Sequence, residues 1–223
     1  KGIVIKSTGS WYHVQSEFCL VKCKIRGKFR THGIRSTNPI AVGDYVYFDL
    51  LNEKGKGVIN SLDKRKNILV RKSTNLSKQS HIIAANIDYA FLIASLTMPE
   101  TYPLFIDRYL IACESMNIKA VILFNKIDLL TDSLDEKLNT YIKIYEQAGY
   151  TCIPISVKTG KNIDKIESLM KGKTIVISGN SGVGKSSLLN TLYPGLNLKT
   201  SEVSNSSGKG RHTTTNVEMI ELV

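Results

Sequence analysis

No stretch of the 223 residues approaches the roughly 20 consecutive apolar residues that a membrane-spanning helix needs, so a helical membrane protein is excluded. The opening "KGIVIKSTGS" has none of the apolar core of a signal peptide, and the sequence predicts a cytoplasmic protein with no membrane partner. Cysteine is scarce. The four residues Cys19, Cys23, Cys113 and Cys152 include no C-x-x-C pair, and Cys19 and Cys23 have no His or Cys partners at zinc-site spacing. Buried free thiols are expected instead. Acid is missing from one region: residues 1–80 hold 16 Lys and Arg against 5 Asp and Glu, whereas residues 81–223 hold 14 of each. The whole net charge of +11 therefore sits in the first third. A step this sharp predicts two domains with different partners, the first facing a polyanion. What is present in quantity is apolar side chain, at 42%, enough for one large core or two small ones.

The basic third is built of short alternating runs. In "VKCKIRGKFR" at 21–30, Val21, Cys23, Ile25 and Phe29 fall on one side and Lys22, Lys24, Arg26, Lys28 and Arg30 on the other. A period of two makes this a half-buried strand with a cationic outer face. "GIVIKS", "WYHVQS", "DYVYFDLL" and "GKGVINSL" are further strand-like runs, separated by Gly, Asn and Pro as in "STNPIAVGD". Five short strands in this length predict a small all-β barrel of the OB type, a fold whose face and loops often bind oligonucleotides. A solvated face that keeps the protein soluble is the plainer reading of the basic strand. Five cations on one side with no acid among them cost stability unless something screens them, which favours a nucleic acid as partner through shape and phosphate contacts. Trp11, Tyr12 and Phe18 could stack on bases, although aromatics of a small barrel more often fill its core. The barrel is expected over 1–66, followed by a basic connector over 67–80.

From residue 81 onward strands alternate with helices. "YAFLIASL" reads as a buried strand, "LFIDRYLIACESM" as a helix with Phe105, Ile106, Tyr109, Leu110, Cys113 and Met116 on one apolar face, and "KAVILF" as a strand. Leu134, Leu138, Tyr141, Ile142 and Tyr145 mark a second helix, "YTCIPIS" a strand, Ile163, Ile166, Leu169 and Met170 a third helix, and "KTIVISG" a last strand before another helix. Repeated strand–helix units predict an α/β domain over 81–223 with a mainly parallel sheet, binding ligands beyond the carboxyl ends of its strands.

Each chemical motif falls at such an end. "GNSGVGKSS" at 179–187 fits G-x-x-x-x-G-K-[ST] between a strand and a helix, the context of a phosphate loop. Gly179, Gly182 and Gly184 permit a backbone in which the N–H groups of Asn180, Ser181, Val183 and Ser187 and their neighbours can converge on phosphate oxygens. Lys185 would reach the β and γ phosphates and Ser186 would ligate Mg²⁺. "NKID" closes the run "VILF". Asp128 would accept from guanine N1–H and its 2-amino group, Asn125 would tie its loop to the phosphate loop, and the stem of Lys126, next to Ile127, would lie over the base. A surface turn in which Asp128 caps a helix is the alternative. "SVK", Ser156, Val157 and Lys158, resembles the Ser-Ala-Lys motif of GTPases, with Val157 in place of Ala. The polar segment 201–216, "SEVSNSSGKGRHTTTN", stands where a switch belongs, with Thr214 or else Thr215 completing the Mg²⁺ shell; a plain polar connector is the other reading.

The order is unusual, because the guanine-reading motifs precede the phosphate loop. Contacts rather than chain order define a fold, so this predicts a circularly permuted P-loop GTPase domain with bound GTP or GDP. Two other classes share the motifs: an RNA-binding assembly factor in which the nucleotide is structural, and an ATP-using P-loop enzyme with an accidental "NKID".

The runs "STGSWY", "GKFR", "STNPIAVGD", "RKSTNLSKQSHIIAANID", "FIDRYL", "FNKIDL", "GNSGVGKSSLLN" and "GRHTTT" cover nearly all of the chain. Together they closely resemble the small-subunit-dependent ribosomal GTPases of the RsgA family, also called YjeQ or YloQ. The resemblance implies a monomer acting with rRNA late in maturation of the small ribosomal subunit, which stimulates its GTP hydrolysis. It implies a catalytic role for His212, beside the switch threonines. Family members continue into an Asp-x-Pro-Gly motif and a Cys/His zinc domain; the sequence stops at Val223 before both, so it is expected to be part of a longer protein, with zinc only in the part beyond.

Overall fold

The structure, a computed structural model, describes residues 1–27, 39–51, 55–72, 80–198 and 218–220, with backbone alone at 71, 72, 80 and 81. The chain forms two compact units, the first running from Lys1 to Ile87 and taking in Glu218, the second beginning at Asp88.

Alternation builds the first unit. Strands β1 (Gly2–Thr8), β2 (Trp11–Ser16), β3 (Leu20–Ile25), β4 (Tyr45–Leu50) and β5 (Lys56–Leu62) close into a barrel in the order β1-β2-β3-β5-β4. All neighbours are antiparallel except β3 and β5, the arrangement of an OB-type barrel. Val4, Tyr12, Val14, Val21, Cys23, Ile40, Val46 and Ile59 fill it. On β3 the expected faces are present, with Val21 and Cys23 buried and Lys22 and Lys24 exposed. The strand stops at Ile25, short of the alternation in the sequence; Lys28 and Arg30 lie outside the described residues.

The turn before β4 is held by charge. Asp44 is fully buried; its Oδ2 accepts the amide of Ala41 at 2.7 Å. Arg65 grips the same carboxylate with Nε to Oδ1 and Nη2 to Oδ2, both at 2.7 Å, and Nη2 also reaches the carbonyl of Pro39 at 2.8 Å. A two-pronged guanidinium contact with a third acceptor is the geometry in which a buried ion pair is well satisfied. Next to it Gly43 has φ +89, and a Cβ there would collide with the carbonyl of Ala85, so the close approach requires glycine.

That approach brings in a hairpin, β6 (Ile68–Lys72) paired with β7 (Ser80–Ala85). The amide of Ala85 donates to Val42 at 2.9 Å, and the side chain of Asn67 exchanges two 2.8 Å bonds with the backbone of Ile87. The stretch expected to be connector over 67–80 thus begins with a strand, and residues 81–87 group with the barrel.

In the second unit β8 (Tyr89–Ala94), α1 (Pro103–Ser115), β9 (Lys119–Phe124), α2 (Asp132–Gln147), β10 (Thr151–Pro154), α3 (Ile163–Met170), β11 (Ile175–Gly179) and α4 (Lys185–Leu192) alternate as the patterns predict. The strands form a parallel sheet ordered β10-β9-β8-β11. Residues 90–94 of β8 are buried on both faces, which is why that strand reads as an unbroken apolar run. Ile106, Leu110 and Cys113 of α1 and Leu138 and Tyr145 of α2 cover the sheet, whereas Phe105, expected on the same face of α1, is 39% exposed at the margin of that stripe. No described helix is long and apolar enough to cross a membrane. Three thiols are buried as expected, and burial pushes Cys23 and Cys113 up to about 11 and Cys152 to about 12, leaving them protonated and inert. Cys19 departs from that expectation: it is exposed in the β2–β3 turn, where Ser16 closes the loop.

Asp44→Ala strands a part-buried guanidinium, and is expected to cost about 3 kcal/mol of stability. Urea unfolding of the variant would read this directly, and a midpoint equal to that of the parent would remove the ion pair from its structural role.

Candidate functional site

Four loops leave the carboxyl ends of four parallel strands: 95–101 after β8, 125–130 after β9, 155–162 after β10 and 180–184 after β11. Although β11 comes last in the chain, it pairs with β8, so its loop joins those of the earlier strands at one edge of the sheet. Reversed motif order and a shared site are therefore compatible.

The 180–184 loop leaves β11 through Gly179, at φ +148, and passes Gly182 and Gly184 at φ +85 and +104. A Cβ at Gly184 would run into the side-chain nitrogen of Asn125, so glycine is needed there for approach as well as for backbone angle. Val183 turns inward and is fully buried, which anchors the loop. Lys185 is the first residue of α4, and its ammonium donates to the carbonyls of Gly179 at 2.9 Å and Asn180 at 2.6 Å. Burial lowers its pKa, because the charged form loses water on leaving solvent. Ser186 and Ser187 follow half-buried in the first turn. A turn of this kind can hold an anion among backbone N–H groups with a lysine folded over it.

Asn125 connects this loop to the others. Its amide donates to Ala94 at 2.8 Å, its Nδ2 to the carbonyl of Val183 at 2.8 Å, and its Oδ1 accepts the amide of Val157 at 3.2 Å. It is 4% exposed, so these bonds are made out of water. After it, Lys126 takes a left-handed conformation at φ 68, and Ile127–Leu129 form a short 3-10 turn that presents Asp128 at the surface. One carboxylate oxygen of Asp128 accepts the hydroxyl of Ser156 at 2.6 Å, and the Ser156 oxygen in turn accepts the amide of Thr159 at 3.1 Å. The acid is thus oriented by a fully buried serine while a carboxylate retains acceptor capacity for a further donor. The alternative of Asp128 as a helix cap does not describe these contacts. Lys158 is exposed beside half-buried Val157.

Asn125, Lys126, Asp128, Ser156, Val157 and the 179–187 loop are accordingly brought together. His212, Thr214 and Thr215 lie outside the described residues. Among the described residues no group of three or more His, Cys, Asp or Glu is arranged to hold a metal. Sequence reasoning missed the loop 95–101, whose Met98 carbonyl accepts the ammonium of Lys126. The available signal was "SLTMPET" at the end of a buried strand, where ligand loops occur.

The barrel carries the second candidate surface. Lys22 and Lys24 both lie over the ring of Trp11, with Nζ 4.8 and 4.4 Å from its centroid. The ring's negative face eases the repulsion between the two cations while leaving both on the outside. Arg26 reaches Asn60 at 3.4 Å. Of the three aromatics weighed as stacking groups, Tyr12 is core, Trp11 is half-buried and Phe18 is 89% exposed.

Two family models match the chain, the RsgA N-terminal domain over residues 1–59 and the RsgA GTPase over residues 62–223. A small ribosomal subunit biogenesis GTPase RsgA from Christiangramia forsetii is 52% identical over 227 residues, covering 100% of the chain and 71% of that relative. One from Bacteroides fragilis is 50% identical over 223 residues, covering 100% and 72%. Among solved structures, YjeQ from Thermotoga maritima matches with a TM-score of 0.71 at 34% identity, over 94% of the chain and 71% of its own. YloQ, described as a circularly permuted GTPase, matches with a TM-score of 0.65 at 31% identity, over 93% and 68%.

The contact between residues 125 and 184 can be tested by a double-mutant cycle. Asn125→Ala and Gly184→Ala are each expected to cost about 2 kcal/mol, the first by orphaning buried backbone groups and the second by collision and a strained φ. Their combination should cost less than the sum, because the truncated Asn125 makes room for the added methyl. Additive losses in thermal unfolding would show that the two positions do not meet.

Proposed function

The chain belongs to the RsgA GTPase family and hydrolyses GTP, and on that premise we propose that its four-loop site holds the nucleotide while the basic barrel engages rRNA of the small ribosomal subunit during biogenesis. The observation that carries this reading is the buried side chain of Asn125, which joins the guanine-reading loop to the phosphate loop although the two motifs stand in reversed order.

In this reading Asp128, steadied by Ser156, accepts from guanine N1–H and the 2-amino group. Adenine lacks those donors and would leave the carboxylate unpaired. The stem of Lys126 lies against the base, and Val157 and Lys158 border it. Backbone amides of 180–187 take the α and β phosphates, and Lys185 exchanges its two carbonyl acceptors for phosphate oxygens. Ser186, with Thr214 or its neighbour Thr215, fits the oxygen preference of Mg²⁺, which when bound neutralises charge on the β and γ phosphates. His212 orients the attacking water. Because Thr214 would sense the γ-phosphate, the GTP form favours the subunit and the GDP form releases it. Lys22, Lys24 and Arg26, with Lys28 and Arg30 of the same run, contact phosphates of rRNA without reading bases. The protein works as a cytoplasmic monomer.

Turnover of GTP by the intact protein should rise sharply with small subunits and stay at its basal value with large subunits at equal concentration. His212→Ala should remove the rise. Equal rates under all three conditions would reduce the nucleotide to a structural role. Reversing Lys22, Lys24 and Arg26 to Glu should weaken binding to small subunits and flatten the slope of log affinity against log salt by about 2 to 3, one unit or slightly less per lost phosphate contact. An unchanged slope would remove this face from the rRNA interface.

A further inference from the structure

Lys126, half-buried, ends on a backbone group. Its ammonium donates to the backbone carbonyl of Met98, at the apex of the loop that leaves β8. That loop is closed at its base by a reciprocal pair of bonds: the amide of Thr101 donates to the carbonyl of Ser95 at 2.7 Å, and the amide of Ser95 donates to the hydroxyl of Thr101 at 3.2 Å. Inside the ring, the Ser95 hydroxyl accepts the amide of Thr97 at 3.2 Å and shares a hydrogen bond with its hydroxyl at 3.0 Å. Ser95 and Thr101 are 0% and 2% exposed, whereas Met98 is 67% exposed. The loop therefore has a buried polar base and an exposed tip. From outside, Glu100 ties it to Lys137 of α2 at 2.8 Å.

These contacts give Met98 a fixed carbonyl and Lys126 a fixed end. Lys126 is fixed at its other end too, by its left-handed backbone and by Asn125 before it and Asp128 after it, both already engaged. A lysine stem held at one end samples many rotamers, and holding both ends removes most of that freedom before any ligand arrives. The ammonium is also partly desolvated, which lowers its pKa and makes the Met98 carbonyl a needed partner.

We propose that the closed loop Ser95–Thr101 positions the guanine reader: through the Met98 carbonyl it stretches Lys126 into a preformed rail for the purine, making Ser95 and Thr101 positioning residues for nucleotide affinity. They touch no nucleotide. The inference rests on the guanine-site reading given above, and adds to it a second support that no guanine-reading motif contains.

The test uses Thr101→Val, which keeps shape but removes the hydroxyl, Thr101→Ser, which restores it, and Asp128→Asn as a control on the site itself. Binding of a fluorescent GDP analogue and of tripolyphosphate, which has no base, would be titrated for the intact parent and each variant. Thr101→Val is expected to weaken GDP about tenfold, the loss of one buried hydrogen bond and its positioning effect, with affinity for tripolyphosphate within about twofold of the parent. Thr101→Ser should recover most of the GDP affinity. Equal loss of GDP and tripolyphosphate by Thr101→Val would mark a general structural defect and overturn the proposal. Parent-like GDP binding by Thr101→Val alongside a loss in Asp128→Asn would also overturn it while leaving the guanine site standing. A parent and Asp128→Asn that bind GDP alike would instead remove the guanine-site reading, and the proposal with it.

Discussion

The second unit depends on one side chain, that of Asn125. It leaves the end of β9 with its amide on Ala94, gives its nitrogen to the phosphate-loop carbonyl of Val183 and takes the amide of Val157 on its oxygen. Two loops from other strands are thus fixed to one planar group out of water, while the backbone amide of Asn125 holds its own loop to the end of β8. Such a group must be satisfied on both sides or it becomes a liability, so the loops around it have little latitude. Glycine at 184 follows from it, since any larger residue would occupy the place of its nitrogen. The order of motifs along the chain does not enter. β11 pairs with β8 whether it precedes or follows that strand, and Asn125 then meets the loop of β11 in either case.

The barrel is organised around a different constraint, the Asp44–Arg65 pair. The pair pins the turn before β4, and Gly43 beside it lets the hairpin come within backbone contact. Its cationic outer face is a separate matter. Lys22 and Lys24 share the ring of Trp11, and among the described residues neither is paired with a carboxylate, so their charge is partly relieved without being neutralised there. A face built this way keeps its long-range attraction for a polyanion, which an ion-paired face would lose.

Most of the fold was legible because its signals are periodic. Alternation marked the barrel strands, and the apolar runs ahead of "NKID" and "GNSGVGKSS" marked β9 and β11. The two nucleotide motifs were legible for another reason: their chemistry requires particular side chains and glycines at fixed spacing. What escaped was carried by backbone. Met98 contributes a carbonyl, which any residue has, so no pattern of residue types could single it out. The strand β6 was hidden because "ILVRK" is short and flanked by basic residues, which made connector the simpler reading. Cys19 was expected among buried thiols on frequency alone, whereas its place in a tight turn next to Ser16 turns it outward.

Lys185 has a consequence for the thermodynamics of ligand capture. Its ammonium is already held by the carbonyls of Gly179 and Asn180, so the rotamer freedom of a long cationic chain, about 2 kcal/mol, is given up when the protein folds rather than when a phosphate arrives. A phosphate bound as proposed would exchange two neutral acceptors for charged ones at nearly constant side-chain order, a gain that would weaken as alkali removes the proton that burial has already loosened.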